Sequence, residues 1–446
     1  MERHNSLTEG PLVSSLIMFT IPFLLSNLLQ TLYGTVDTLV IGNFGSTAGV
    51  SAVATGAQAL SLITYFSFGL SSGATVLVSR YVGAGNDRSA AEVVGNTIID
   101  FACLSLILTA ITLAGYPMML RLLNIPAEAV DEASDYMRIC SLGIPLIIGY
   151  NTVGALLRAT GDSKSPLLFV GIACVINIFG DLLLTGAFKM GAAGVAIATV
   201  AAQGLSFVFS LLFIMKKGLP FAFGVKDIRF SGRVTGSIAK IGVPMGVQSV
   251  LVNLSFMFIT AIINAMGVTA SAAMGIGDKI TGFAFMPQSA FSASVAVVVS
   301  QNIGAGKPER TKKAMTVSVL ICVVIASLFM AVCEMWPGLF PSMFSKDSDV
   351  IYMAGLYMRA YCIDSVLPSV TFCMSGYLNG CGKTTYNMAQ NLIATFLVRV
   401  PATYLMSRLP NTDLFLIGLA APISTVFSLA ALIIYIRRLK VETIEL

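Results

Sequence analysis

Runs of twenty or more mostly apolar residues recur along the chain, parted by short polar stretches. They fall at about 12–40, 50–78, 92–116, 136–157, 165–187, 191–215, 238–264, 270–299, 314–336, 352–377, 386–406 and 413–436. At 1.5 Å of rise per residue, a helix of that length crosses a hydrocarbon layer roughly 30 Å thick. The pattern predicts an all-α integral membrane protein with twelve transmembrane helices. An even number of crossings puts both termini on one side.

The same pattern repeats at about 221 residues. "SRYVGAGNDRSA" (79–90) returns as "SQNIGAGKPERT" (300–311), and "YMRICSLGIP" (136–145) as "YMRAYCIDSVLP" (357–368). "ALLRATGDSKSP" (155–166) is answered by "GYLNGCGKTTYN" (376–387), and Pro22 pairs with Pro244. Two six-helix bundles are therefore expected: residues 1–215, a basic cytoplasmic linker at 216–240, and residues 241–446. Six crossings per half give both halves the same orientation, so a pseudo-two-fold axis along the membrane normal should relate them. Parallel repeats of this kind are typical of transporters that rock two bundles about a central site.

Composition agrees with the membrane reading. The 446 residues are 56% hydrophobic and 11% charged, with a mean hydropathy of +0.85; soluble chains carry about 25% charged residues. Most of the 27 Lys and Arg sit in the tails or in loops after even-numbered helices, such as Lys216, Lys217, Lys226, Arg229 and Arg233. The positive-inside rule then places both termini in the cytoplasm. The net charge of +5 is that loop bias and implies no nucleic-acid partner. The eight cysteines lack a CxxC and read as buried small hydrophobes.

Enzyme motifs fail on inspection. "GLSSG" (69–73) fits a nucleophile elbow, but it lies in an apolar helix and the one histidine is His4, in the tail. "GYLNGCGKT" (376–384) misses phosphate-loop spacing by one residue and has a counterpart in the other half. The chain does not read as an enzyme, and no organic cofactor is implied.

The chemistry is concentrated in a few polar residues at membrane depth, where a carboxylate costs about 2.5–3.5 kcal/mol on insertion scales. Asp37 lies in "NLLQTLYGTVDTLVIGNFG" (27–45), roughly 9 Å along its helix from the outer end. Asn177 and Asp181 are four apart on one face of the fifth helix, at similar depth, and Thr199 lies about 12 Å down the sixth. These four can converge in the outer half of the first bundle. Two carboxylates, an amide and a hydroxyl suit Na⁺ or a shared proton. Asp100, Asp278, Lys279, Asp364 and Arg399 are the other ionisable residues deep in the spans; Lys279 is a candidate for the central cavity, and Arg399 reads as structural.

These residues resemble the multidrug and toxic compound extrusion (MATE) transporters over nearly the whole length. The carriers are "VDTLVIG", the two "GAG" loops, "ALLRATGD" and "NIFGDLLLTGAFKMGAAGVAIATV". In the DinF-like branch the resemblance implies a cation site of one Asp on the first helix, an Asn and an Asp on the fifth, and a Thr on the sixth. Asp37, Asn177, Asp181 and Thr199 fall on those positions. It also implies that Gln30, Tyr33 and Asn151 face the cavity where substrates bind. In the NorM-like branch the second bundle carries acids on its seventh and tenth helices; here Val252 and Pro368 stand there, with Asp364 one turn away.

The resemblance implies a monomeric, H⁺- or Na⁺-coupled antiporter that exports amphipathic, cationic drugs or toxic metabolites by alternating access. The alternative within the superfamily is a flippase of lipid-linked precursors, whose members have more helices and a more cationic cavity than expected here.

Overall fold

The computed structural model describes residues 7–439 apart from 124 and 411; the tail with His4 and residues 440–446 lie outside it. The described residues form helices α1 (Leu12–Phe44), α2 (Thr47–Gly83), α3 (Asp87–Leu122), α4 (Val130–Ala159), α5 (Lys164–Asp181) and α6 (Gly191–Lys217). They continue with α7 (Gly232–Asn264), α8 (Val268–Gly304), α9 (Pro308–Met335), α10 (Ser348–Gly380), α11 (Thr384–Leu392), α12 (Val400–Ser407), α13 (Leu414–Gly418) and α14 (Ala420–Arg438).

Ten helical stretches among the described residues are long and apolar enough to cross a membrane, counting α13 and α14 as one. An eleventh is the bent pair Ser348–Cys362 and Asp364–Gly380, meeting at 43°. Pro368 explains the bend, because its ring excludes the bond to the carbonyl of Asp364 four residues back. The remaining expected span, 386–406, is helical throughout but changes type: α11 passes into a π-helical segment, Ile393–Arg399, and then into α12. A second π segment, Leu182–Ala187, extends α5 directly after Asp181.

The repeated sequence motifs are helix stops. α2 and α8 run on to "GAG" turns in which Gly85 (φ +68°) and Gly306 (φ +67°) take left-handed backbone. Asn86 N donates to Tyr81 O at 3.0 Å and Lys307 N to Asn302 O at 2.8 Å, closing both turns in the same way. Gly161 and Gly382 do the same after α4 and α10. A further matched pair fixes helix crossings. A Cβ on Gly56 would sit 2.5 Å from Tyr136 Cδ1, and one on Gly277 would sit 2.5 Å from Tyr357 Cδ1. The "GLSSG" motif is likewise a packing device, since a Cβ on Gly69 would meet the Gly246 backbone of α7 at 2.2 Å.

The chain divides into two compact units. Unit 1 gathers residues 21–246, and unit 2 gathers residues 7–20 with 247–446. The divisions fall in α1 and α7, close to Pro22 and Pro244. The stretch expected as a linker, 216–240, is helical at both ends, because α6 reaches Lys217 and α7 starts at Gly232. It is also fastened to α3. Asn96 Oδ1 accepts from Ser231 N at 2.6 Å, and Asp100 accepts from Asn96 Nδ2 at 2.7 Å and Thr235 Oγ1 at 2.8 Å. Asp100, which the sequence left without a role, is thus part of that fastening. Seven cysteines are buried as expected; Cys103, on α3, is exposed.

Candidate functional site

Three helices of unit 1 build the site. On α1, Gln30, Tyr33 and Asp37 are spaced by three and four residues and share one face. α5 brings Asn177 and Asp181 one turn apart, and α6 brings Thr199 and Gln203. The π segment begins at the residue after Asp181, a placement common where a helix must re-aim a functional group.

The four residues expected to converge do so. Asn177 Nδ2 donates to Thr199 Oγ1 at 3.3 Å, and Thr199 Oγ1 donates to Asp37 Oδ2 at 3.3 Å. Asp181, one turn after Asn177 on the same face of α5, brings its carboxyl beside that of Asp37. Asp37, Asn177 and Asp181 are 8%, 1% and 0% exposed.

What the cluster lacks is donors. Asp37 Oδ1, Asn177 Oδ1 and both oxygens of Asp181 are buried without a hydrogen-bond partner. Ionised carboxylates are acceptors only, so two of them in contact cannot bond each other without a proton. Among the described residues no basic side chain pairs with either acid, and no three of His, Cys, Asp and Glu gather as a metal site. The arrangement is a set of hard oxygen acceptors with no positive charge beside it among the described residues. A proton or a small hard cation matches that chemistry.

Beside the acids lies a cavity of about 450 Å³ in unit 1. Gln30, Tyr33 and Asn151 line it, together with Tyr65, Phe68, Tyr136, Tyr150 and Gln203. Thr199 also lines it, so the hydroxyl bonded to Asp37 forms part of the cavity wall. Gln203 Nε2 donates to Tyr33 OH at 3.4 Å, joining two walls. No lining residue is an Asp, Glu, Lys or Arg. Lys279 is not brought to this cavity; it is exposed on α8 in unit 2. Tyr136, Cys140, Tyr150 and Gln203 went unnoticed in the sequence. Gln203 was within reach, standing four residues after Thr199, and Tyr136 opens the repeated "YMR" motif.

The MatE family model matches residues 22–183 and again 244–405, one copy per repeat, starting at the paired prolines. The chain belongs to the MatE family. A MatE protein is a multi-pass membrane transporter and not an enzyme. Among its relatives, the probable multidrug resistance protein YpnP of Bacillus subtilis (strain 168) is 26% identical over 431 residues, covering 96% of each chain. An FAD transporter of Shewanella oneidensis (strain MR-1) is 24% identical over 427 residues, covering 94% of this chain and 93% of its own. A crystal structure of MATE in complex with MaL6 superimposes with a TM-score of 0.92 at 19% identity over 98% of each chain. That likeness gives the all-helical MatE fold.

Proposed function

We propose that this MatE protein is a secondary antiporter that exports small amphipathic, cationic organic compounds across the cytoplasmic membrane, driven by inward H⁺ or Na⁺. Asp37, Asn177, Asp181 and Thr199 bind the coupling ion; Gln30, Tyr33 and Asn151 bind the exported compound. The observation that carries this reading is the buried acceptor set, two carboxylates with orphaned oxygens and no basic partner. Retaining it at membrane depth is costly, and an ion that comes and goes accounts for the expense. The names of multidrug resistance relatives support the substrate class.

The two sites share Thr199, which is how the ion and the exported compound act on each other. With the acids charged and ion-free, their field reaches the cavity and favours an organic cation against the aromatic walls. With the ion bound, that attraction is cancelled and the compound leaves. Each charge moved inward supplies about 2.3 kcal/mol per 100 mV of membrane potential. Both termini lie in the cytoplasm, by the bias of Lys and Arg toward the loops on that side.

The test is ethidium efflux from vesicles holding the purified protein, with pH and Na⁺ gradients imposed separately. One gradient should drive efflux in wild type and neither in Asp37→Asn or Asp181→Asn, with all three proteins reconstituted to equal levels. Wild-type rates in either variant would remove the site from the mechanism.

A further inference from the structure

Unit 2 holds a second group of ionisable residues, at the place where the repeat puts the cavity of unit 1. The Gly56–Tyr136 and Gly277–Tyr357 crossings fix the correspondence. The residue after Gly56 is Ala57, on the cavity wall; the residue after Gly277 is Asp278. Four residues after Tyr136 is Cys140, also on the wall; four after Tyr357 is Tyr361. Asp37 itself is answered by Ile259, buried in one apolar cluster with Tyr357 and Tyr361. The acids have therefore changed position between the halves.

Around them stands one fixed cation. Tyr357 OH donates to Asp278 Oδ1 at 3.4 Å, and the Tyr357 and Tyr361 rings lie 4.7 Å apart. Arg399, the last residue of the second π segment, donates through Nη2 to Tyr361 OH. Its guanidinium lies 4.6 Å from the centroid of Phe256. Asp364 is 5% exposed, and its Oδ1 has no hydrogen-bond partner. Arg399 is linked to Asp278 through the Tyr361–Tyr357 pair, and Asp364 stands one turn after Tyr361 on α10; among the described residues Arg399 makes no direct ion pair with either acid.

We propose that the Arg399 guanidinium, held in place by Tyr361 and Phe256, is the tethered counter-charge of the buried acids Asp278 and Asp364, so that unit 2 carries its cation within the chain. An arginine stays charged under all working conditions and, being tethered, does not leave. Unit 2 therefore carries a permanent counter-charge where unit 1 must take up a mobile one. Removing the guanidinium leaves two acids at membrane depth without compensation, which is the costly way to break such a group; removing an acid with it relieves the cost. The vacated site should accept a small planar or monatomic cation from solution.

The experiment follows thermal unfolding of purified full-length protein as methylguanidinium, Na⁺ or tetramethylammonium chloride is added at equal ionic strength. Arg399→Ala should melt below wild type and regain at least half of the loss, saturably, with methylguanidinium or Na⁺ but not with the bulkier tetramethylammonium. Wild type should gain nothing from methylguanidinium, and whatever Na⁺ adds to wild type through the unit 1 site is subtracted from its effect on Arg399→Ala. The double variant Asp364→Asn/Arg399→Ala should melt above Arg399→Ala without any added cation. If Arg399→Ala cannot be purified, yields of Arg399→Gln and Asp364→Asn/Arg399→Gln are compared, and the double should accumulate to several times the single. A loss that no cation restores, with no gain from Asp364→Asn, would reduce Arg399 to a packing residue and overturn the proposal. So would a double variant no more abundant than the single.

Discussion

Asp181 is fully buried with both carboxylate oxygens unbonded, while Asp37 keeps one bond, from Thr199. The neutral members of the set therefore have a different task from the acids. Asn177 and Thr199 form a chain of two hydrogen bonds that ends on Asp37, so they aim acceptors and supply no charge. Losing one net hydrogen bond of this kind is worth about 1 kcal/mol. Asn177→Ala and Thr199→Ala should each keep coupled efflux but raise the H⁺ or Na⁺ concentration for half-maximal rate roughly five- to tenfold, in line with that energy. Unchanged half-maximal concentrations would mean that the amide and hydroxyl do not belong to the ion site.

At the scale of helices, the site depends on how α5 and α6 begin. The carboxylate of Asp162, in the loop before α5, accepts from Lys164 N at 3.1 Å, Ser165 N at 2.9 Å, Ser165 Oγ at 2.6 Å and Lys217 Nζ at 3.0 Å. Burial alone would push its pKa up; the bonds from Ser165 and Lys217 outweigh that and hold it below the ordinary value. A group whose pKa is depressed on folding contributes stability above its unfolded pKa, about 3.9, and loses it as pH falls through the folded value. Asp162→Asn should therefore melt below wild type from pH 5 to 8, by about 1 kcal/mol as for a lost helix cap. The gap should narrow once pH falls below the unfolded value of about 3.9 and close as it passes the lower folded value. A gap that persists in acid would show that the charge of Asp162 is not what holds α5.

Glu132 plays the matching part at the other end of the unit. It accepts from Ser46 Oγ, which caps α2, at 2.6 Å and from Ala192 N, in the first turn of α6, at 3.1 Å. A Cβ on Gly191 would come within 2.8 Å of its Oε2, so a glycine there lets the carboxylate approach. Glu132→Ala should cost about 1 kcal/mol in thermal unfolding. Because α6 carries Thr199, it should also raise the ion concentration for half-maximal efflux. Glu132→Gln, which keeps an acceptor oxygen, should recover part of both.

Such ties were not legible in the sequence. Helix identity and depth were, because apolar length and distance from a turn fix how far along its helix Asp37, Asp181 or Thr199 lies. Rotation about the helix axis was not, and rotation decides that Tyr136 and Tyr150 line the cavity while Lys279 does not. Asp100 and Glu132 escaped for a related reason: each acts on a backbone or hydroxyl group of a distant segment, and no local pattern announces such a partner.

Over the whole molecule the repeat preserves stops and crossings while letting the chemistry diverge. The "GAG" turns and the paired Gly–Tyr crossings recur almost unchanged, yet Asp37 faces Ile259 across the repeat, and Ala57 faces Asp278. Packing geometry tolerates few substitutes, whereas a charge needs only compensation from somewhere nearby. The cysteines follow the packing rule in seven of eight cases, and the eighth makes the molecule convenient to observe. Cys103 is exposed on α3, and the other seven are buried. Because Cys103 lies in mid-span, where hydrocarbon disfavours the thiolate, an apolar maleimide dye or spin label should add slowly but only once to the unmutated protein, seen as a single-adduct mass shift that Cys103→Ser abolishes. With that one native handle, a second label placed by mutation in unit 2 would let distance changes be followed through the transport cycle without stripping the chain of its cysteines.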